Sequence, residues 1–295
     1  MHCQSNGFFV YLTPMAHAEL ITGIDIGTSK IRIAVGEVSP EGDSLSIVGL
    51  AEGDARGVAR GTIRSIEDVA ASIAAVRSRA EKMVGASTRS AVVAISGSHI
   101  TAQESKGVIA VARADGEIRE EDVERVLEAA QAVSVPPNYE IIHVLPRTFS
   151  IDNQTDIRDP IGMNGVRLEV SAQIIEGQTS HIKNLAKAVT LGGYSVDDLV
   201  VAMLASAEAT LSERQKDLGA ALVNLGSATT SIVVFEEGDI MLVKVLPVGA
   251  SHITNDIAIG VRTNIDTAEA IKLSYGTTLS ALGSGPDEVP LSELD

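Results

Sequence analysis

Two short segments, far apart in the chain, carry the residue types that hold phosphate. One is Gly23-Ile24-Asp25-Ile26-Gly27-Thr28-Ser29-Lys30, the other Val223-Asn224-Leu225-Gly226-Ser227-Ala228-Thr229-Thr230-Ser231. In each, an apolar run meets Asp or Asn, passes one apolar residue, and reaches Gly and small hydroxylated residues before a second apolar run. That pattern reads as a β-hairpin with a tight tip. Such a tip exposes backbone N–H groups, from which phosphate oxygens accept hydrogen bonds. One such hairpin is ordinary strand chemistry. Two, each opening a long βα-rich stretch, point to a duplicated fold with a nucleotide between its halves. Asp25 then positions a metal-bound water beneath the phosphates; the alternative is an Asp that accepts N–H bonds within its own turn. Gly27, Thr28, Ser29 and Lys30 offer backbone, hydroxyl and ammonium donors, although Lys30 equally suits a solvated strand position. Asn224, Gly226, Ser227, Ala228, Thr229 and Thr230 form the second half, where the threonines are also plain strand formers.

These tips need elements behind them. Leu20–Ile26 and Ile31–Val38 read as paired strands, with Ser46–Ala51 a third. Ser65, with Asp68 three residues on, reads as the cap of an amphipathic helix carrying Ile66, Val69, Ile73, Val76 and Ala80 at helical spacing. Ala91–Ile95 is a short buried strand ending at Ser96-Gly97-Ser98. From about Ile100 to Glu176 the character changes. Gly107–Val111, Ile141–Ser150 and Val166–Ile175 read as strands, Glu120–Val133 as a helix stopped by Pro136-Pro137, and Asp152–Met163 as a polar loop. A helix led by Ile182 ends at Gly192-Gly193. Val200–Leu211 reads as an Ala-rich helix buried against the sheet. Leu218–Leu225, Ile232–Phe235 and Asp239–Val248 read as strands. Ser251 begins one helix and Asp266 caps another. Gly283–Asp295 reads as a loop or frayed end.

Composition narrows the function classes. The 295 residues are 45% hydrophobic, enough for one large or two smaller domains. Acids outnumber bases by 39 to 23, for a net charge of −16. Nucleic-acid binding needs a basic face, so this balance argues against it. The one cysteine, Cys3, excludes an internal disulfide and a cysteine zinc site. The six histidines form no close pair at metal-ligand spacing and read as structural or surface groups. No Ser-His-Asp or Cys-His arrangement is visible, and no apolar run is long enough to span a bilayer. Residues 1–18 read as a disordered or mis-annotated extension, with Met15 an alternative start.

With these residues set out, the chain resembles the actin-like ATPase superfamily and, within it, the FtsA family of bacterial cell-division proteins. Gly23–Lys30 looks like that family's first phosphate motif and Asn224–Thr230 like its second. Gly249–Ala258 is similar to the segment after the second hairpin, and Ala268-Glu269-Ala270-Ile271-Lys272 to the helix that meets adenosine. Asp159–Leu168 is the most specific match, because it belongs to a subdomain inserted in FtsA. The resemblance runs from about Glu19 to Tyr275. It implies an α/β, actin-like (ribonuclease H-like) two-lobed ATPase fold with an inserted small α+β subdomain. The boundaries implied are 19–100 with 177–213 for the first lobe, 101–176 for the insert, and 214–295 for an incomplete second lobe.

The resemblance also implies a role. Such a protein is a scaffold that binds ATP with Mg²⁺ between its lobes, with Asp25 holding the metal through water and Gly249, Glu269 and Lys272 near adenosine; an exposed helical pair is the alternative for Glu269 and Lys272. Glu208 is a candidate for orienting water; a surface position on its helix is the alternative. The scaffold self-associates through the insert and helps bring FtsZ and later divisome proteins to the membrane. Its place is cytoplasmic, peripheral at the inner face of the cell membrane at the division site. Two departures stand out. The family usually has Asp where this chain has Asn224, and a Gly-rich turn where it has Gly226-Ser227-Ala228. An uncharged amide holds water around Mg²⁺ less strongly than a carboxylate, and added Cβ atoms crowd a phosphate. Weakened nucleotide binding and at most slow hydrolysis are therefore expected. The chain also stops before the family's remaining second-lobe segment, its main FtsZ-facing surface and its membrane-binding C-terminal helix. The alternatives are another actin-like ATPase of pilus-assembly or chaperone type, a sugar or acyl kinase, and a degenerate scaffold that binds no nucleotide.

Overall fold

A computed structural model describes residues 19–39, 44–59, 61–132 and 135–278. The expectations for residues 1–18, for Val133 and for Gly283–Asp295 lie outside these residues. The chain begins with strands β1 (Leu20–Ile26), β2 (Lys30–Val38) and β3 (Leu45–Asp54), then a short hairpin of β4 (Val58–Ala59) and β5 (Thr62–Ile63). Helix α1 (Ile66–Val84) and β6 (Ser90–Ile95) follow. Next come β7 (Ile100–Ala110), α2 (Glu120–Gln131), β8 (Tyr139–Ile151), β9 (Gln154–Ile157) and β10 (Arg167–Gln178). The remainder is α3 (Thr179–Leu191), β11 (Ser195–Val201), α4 (Ala202–Thr210), α5 (Glu213–Leu218), β12 (Ala220–Leu225), β13 (Thr230–Glu236), β14 (Asp239–Leu246), α6 (Ala250–Val261) and α7 (Ile265–Tyr275).

The first sheet has the order β11-β6-β1-β2-β3. β1, β2 and β3 pair antiparallel, while β6 runs parallel to β1 and β11 parallel to β6. Alternation puts Ile31, Ile33 and Val35 of β2 on one buried face. The apolar stripe of α1, with Val69, Ile73, Val76 and Ala80, packs in the same core. Ser65 caps α1 by accepting from the Asp68 N–H, and Gly85 ends it in the left-handed region at φ 73°.

The segment from β7 to β10 builds a second sheet, order β7-β10-β8-β9, with α2 against it. It has its own core, including Ile118, Val126, Phe149, Leu168, Val170 and Ile174. β7 and β10 pair along their length, so the chain enters and leaves this unit side by side, with Ile100 opposite Gly177. The third sheet, β12-β13-β14, shares the first core through Val233, Phe235 and Val243. Its β12–β13 hairpin repeats the β1–β2 hairpin: Asp25 pairs with Arg32 as Asn224 pairs with Ser231.

Several sequence expectations change here. Val200–Leu211 is not one helix; its first residues finish β11, and α4 starts at Ala202. The acidic Asp197-Asp198 and a register shift between Val196 and Asp198 hide this strand from an alternation test. The loop Asp152–Met163 contains β9, which makes the inserted unit four-stranded. Asn264, not Asp266, caps α7, accepting from the Thr267 N–H at 2.8 Å. α6 starts at Ala250 with Gly249 as its cap, and α5 had no counterpart in the sequence reading.

Candidate functional site

The two hairpin tips meet across one cavity of about 300 Å³. Each tip is closed the same way. The Gly27 N–H donates to the Lys30 carbonyl at 2.9 Å, and the Gly226 N–H to the Thr229 carbonyl at 2.9 Å. That leaves Thr28-Ser29 and Ser227-Ala228 as the tip pairs. Among the described residues, no acceptor takes the backbone N–H of any of these four. All four line the cavity, with Gly27, Lys30, Gly226 and Thr229 beside them. Asp25 and Asn224 line it too. The Asn224 amide makes no hydrogen bond to the described residues, and Asp25 is the only carboxylate among them that lines the cavity.

Asp25 sits among close-packed neighbours, although 40% of its side-chain surface opens to the cleft. Burial raises its carboxyl above the ordinary range, and the Arg32 guanidinium, 3.8 Å away, works against that rise. Lys30 reaches Asp54 at 2.8 Å, and this ion pair raises the ammonium further. Lys30 lines the cavity, while its ammonium is paired with a surface carboxylate.

Other elements complete the walls. Gly61, in the turn between β4 and β5, donates its N–H to Thr28 Oγ1 at 3.0 Å. Ser96 follows β6, and Ala202 and Met203 open α4, so the positive end of that helix adjoins the cavity. Arg32, Gly61, Ser96, Ala202, Met203 and Ser231 were not among the residues expected from sequence. Two carried a signal. Arg32 lies two residues from Lys30, and Ser231 two from Thr229, each on the same strand face.

The structure does not bring every expected residue to the cleft. Thr230 turns the other way and donates its hydroxyl to the Val248 carbonyl at 2.7 Å. Strand alternation explains this, because Thr229 and Ser231 take the cleft face. Glu208 lies roughly 9 Å along the axis of α4 from Ala202. Its carboxylate accepts from Lys216 Nζ at 2.8 Å, beside a different cavity that also touches Arg147 and Asp239. Gly249 lies behind the second tip; a Cβ there would stand 2.5 Å from the Gly226 carbonyl oxygen. That close approach lets Ala250 and Ser251 donate to the Gly226 and Ser227 carbonyls at 3.0 and 2.8 Å. Glu269 and Lys272 pair at 2.6 Å, and both bond Thr254 of α6, at 2.5 and 2.9 Å. The hydrogen bonds from Lys272 and Thr254 hold the Glu269 carboxyl below its usual range. These two residues tie α6 to α7 and do not line the cavity.

The site is suited to an anion bearing several oxygens, held by backbone donors. Two equivalent hairpins on two sheets around one cleft define a protein of the actin-like ATPase fold. The solved PilM–PilN type IV pilus biogenesis complex shares this fold, with a TM-score of 0.64 over 87% of this chain and 70% of that chain, at 20% identity. The family described as the SHS2 domain inserted in FtsA matches residues 97–176, and that of cell division protein FtsA matches residues 221–294. The cell division protein FtsA of Pseudomonas aeruginosa is 39% identical over 276 residues, covering 94% of this chain and 66% of that protein. FtsA of Bacillus subtilis is 40% identical over 262 residues, covering 89% and 59%. FtsA of Escherichia coli K12 is 34% identical over 270 residues, covering 92% and 63%. The chain belongs to the FtsA family of cell-division proteins, and spans roughly three fifths to two thirds of the length of these relatives.

Proposed function

We propose that this protein is a nucleotide-dependent scaffold of cell division, binding ATP with Mg²⁺ in the cleft between its two hairpin tips. The observation that carries this reading is the pairing of two matching tips with unclaimed N–H groups on one cavity. Backbone donors of this kind cradle phosphate oxygens, and the α4 N-terminus adds a favourable field. Asp25 would hold the metal through water, with Thr28, Ser29 and Lys30 on one side of the phosphates and Gly226, Ser227, Ala228 and Thr229 on the other. Mg²⁺ would supply charge neutralisation between the phosphate oxygens. With one carboxylate, Asp25, among the described residues that line the cleft, and the neutral Asn224 opposite, turnover is slow at most. Nucleotide acts by favouring one arrangement of the lobes, through differential affinity for the two. Glu269 and Lys272 would flank the adenosine side.

In this reading residues 19–100 with 177–213 form the first lobe, 101–176 the inserted subdomain, and the second lobe starts at 214. The inserted subdomain mediates self-association. The scaffold works with FtsZ and other divisome proteins, peripherally at the cytoplasmic face of the membrane. No helix among the described residues is long and apolar enough to cross a membrane. Family membership supports these roles. A second reading, a scaffold that needs no nucleotide, is favoured by Asn224 alone.

Calorimetry of the full chain with ATP, with and without Mg²⁺, tests the proposal. Micromolar, Mg²⁺-dependent binding, about −8 kcal/mol, is expected. No heat at millimolar ATP would favour the nucleotide-free scaffold.

A further inference from the structure

His99 and His181 stack at a place the cleft does not use directly. Their ring centroids lie 4.5 Å apart, at an interplanar angle of 14°. Both His99 nitrogens are buried and make no hydrogen bond to the described residues. A buried polar ring without such a partner is rare, and stacking and shape hold it here. The location is informative. His99 is the last residue before β7, where the chain enters the inserted unit, and His181 lies in the first turn of α3, just after β10 brings it out. The stack therefore joins the entering and leaving strands at the root of that unit.

The same stack backs the wall of the cleft. Gly97 lies between His99 and Gly61: a Cβ on it would stand 2.6 Å from His99 Nδ1 and 3.0 Å from the Gly61 carbonyl oxygen. Its φ of 137° is a conformation that suits glycine. Gly61 in turn donates to Thr28 Oγ1 in the first tip. Gly61 and Ser96 line both the cleft and a small cavity that touches the two histidines. A third histidine makes a second contact of this kind. Val201, which precedes α4, donates its N–H to His143 Nε2 of β8 at 3.1 Å.

We infer that His99 and His181 are positioning residues that set the first phosphate tip, through Gly97 and Gly61, and couple it to the orientation of the inserted subdomain. The inference rests on the nucleotide reading for its second readout only. A shift of the insert at its root moves the stack, and the close-packed Gly97–Gly61 contact passes that shift to Thr28. By linkage, a ligand that orders the tip favours one seating of the insert.

The test uses hydrogen exchange on the full chain, read at the amides of residues 58–63, with ATP affinity as a second measurement. The variants are His181→Ala, which removes the stack, His181→Phe, which keeps a ring, and His181→Leu, which keeps volume without the aromatic face. Exchange at 58–63 should quicken roughly fivefold in His181→Ala and His181→Leu, and return towards wild type in His181→Phe. ATP affinity should fall roughly fivefold with the loss of the ring and recover with Phe. Unchanged exchange at 58–63 in a folded ring-less variant would overturn the inference. So would a uniform quickening across the first core, which is what a merely structural residue produces. Should wild type bind no ATP, the nucleotide reading fails, while the exchange measurement still decides the coupling.

Discussion

Asn224 is the position where one side chain separates two readings of the cleft. It stands where Asp25 stands in the first hairpin, and its amide makes no hydrogen bond to the described residues. Asn224→Asp would add a carboxylate without changing the side chain's size. Mg²⁺-dependent ATP affinity should rise roughly tenfold, about 1.4 kcal/mol, by calorimetry; an unchanged Kd would remove the position from the metal site. His99 gives a second residue-level prediction. Burial and the neighbouring His181 lower its pKa from 6.5 to about 4. Between those values the unfolded chain binds the proton that the folded ring refuses, so stability falls as pH drops from 6.5 towards 4. The loss approaches about 3 kcal/mol at the lower end. His181 and His143, also lowered by burial, act in the same direction. His99→Phe should flatten this slope in urea titrations at pH 7 and pH 4.5. At this scale the sequence placed both tips at turns through their repeated pattern of Gly and small hydroxylated residues between apolar runs, and the structure puts them on one cavity. The sequence misled at Thr230, where the motif was extended past the point at which strand alternation turns the side chain away.

Among the elements, α1 and the two hairpins followed most directly from local pattern. The cap of α1 is a simple case: Ser65 accepts from Asp68, and Ser65→Ala should cost about 1 kcal/mol. In thermal unfolding that is a Tm lower by roughly 2–4 °C, and a shift near zero would show that the last turn of chain before α1 holds the helix without the cap. β11 was not legible, since two acids and a register shift break its alternation while the parallel neighbour β6 still pairs with it. The boundary with α4 matters for function. Starting α4 at Ala202 puts its N-terminus on the cleft and carries Glu208 away to Lys216.

Across the whole molecule, the described residues form two cores. The insert buries Leu168, Val170 and Ile174 in a core of its own, while the β12–β14 sheet shares the core of the first sheet. Leu168→Ala should therefore cost about 2–5 kcal/mol and act locally. Hydrogen exchange should quicken in the strands β7, β8 and β10 while the strands β1, β2 and β6 keep their protection. Loss of protection in both sheets together would mean that the insert and the lobes unfold as one unit. The insert is nonetheless not isolated. Arg158 donates to the Glu237 carbonyl in the β13–β14 turn at 2.5 Å, and His143 reaches Val201.

The order of apolar runs, the two Gly tips and the change of character from about Ile100 to Glu176 pointed to a duplicated βα-rich fold with a separate small unit, because each rests on local periodicity and turn chemistry. The actin-like fold and the family came from the resemblance carried by Gly23–Lys30, Asn224–Thr230 and Asp159–Leu168. What tertiary structure alone decided was which groups share the cleft. Gly61, Ser96 and the start of α4 arrive from three separate elements, and no local pattern encodes their meeting. The same holds for the histidine stack: positions 99 and 181 are far apart in sequence, and only the pairing of β7 with β10 brings them into contact.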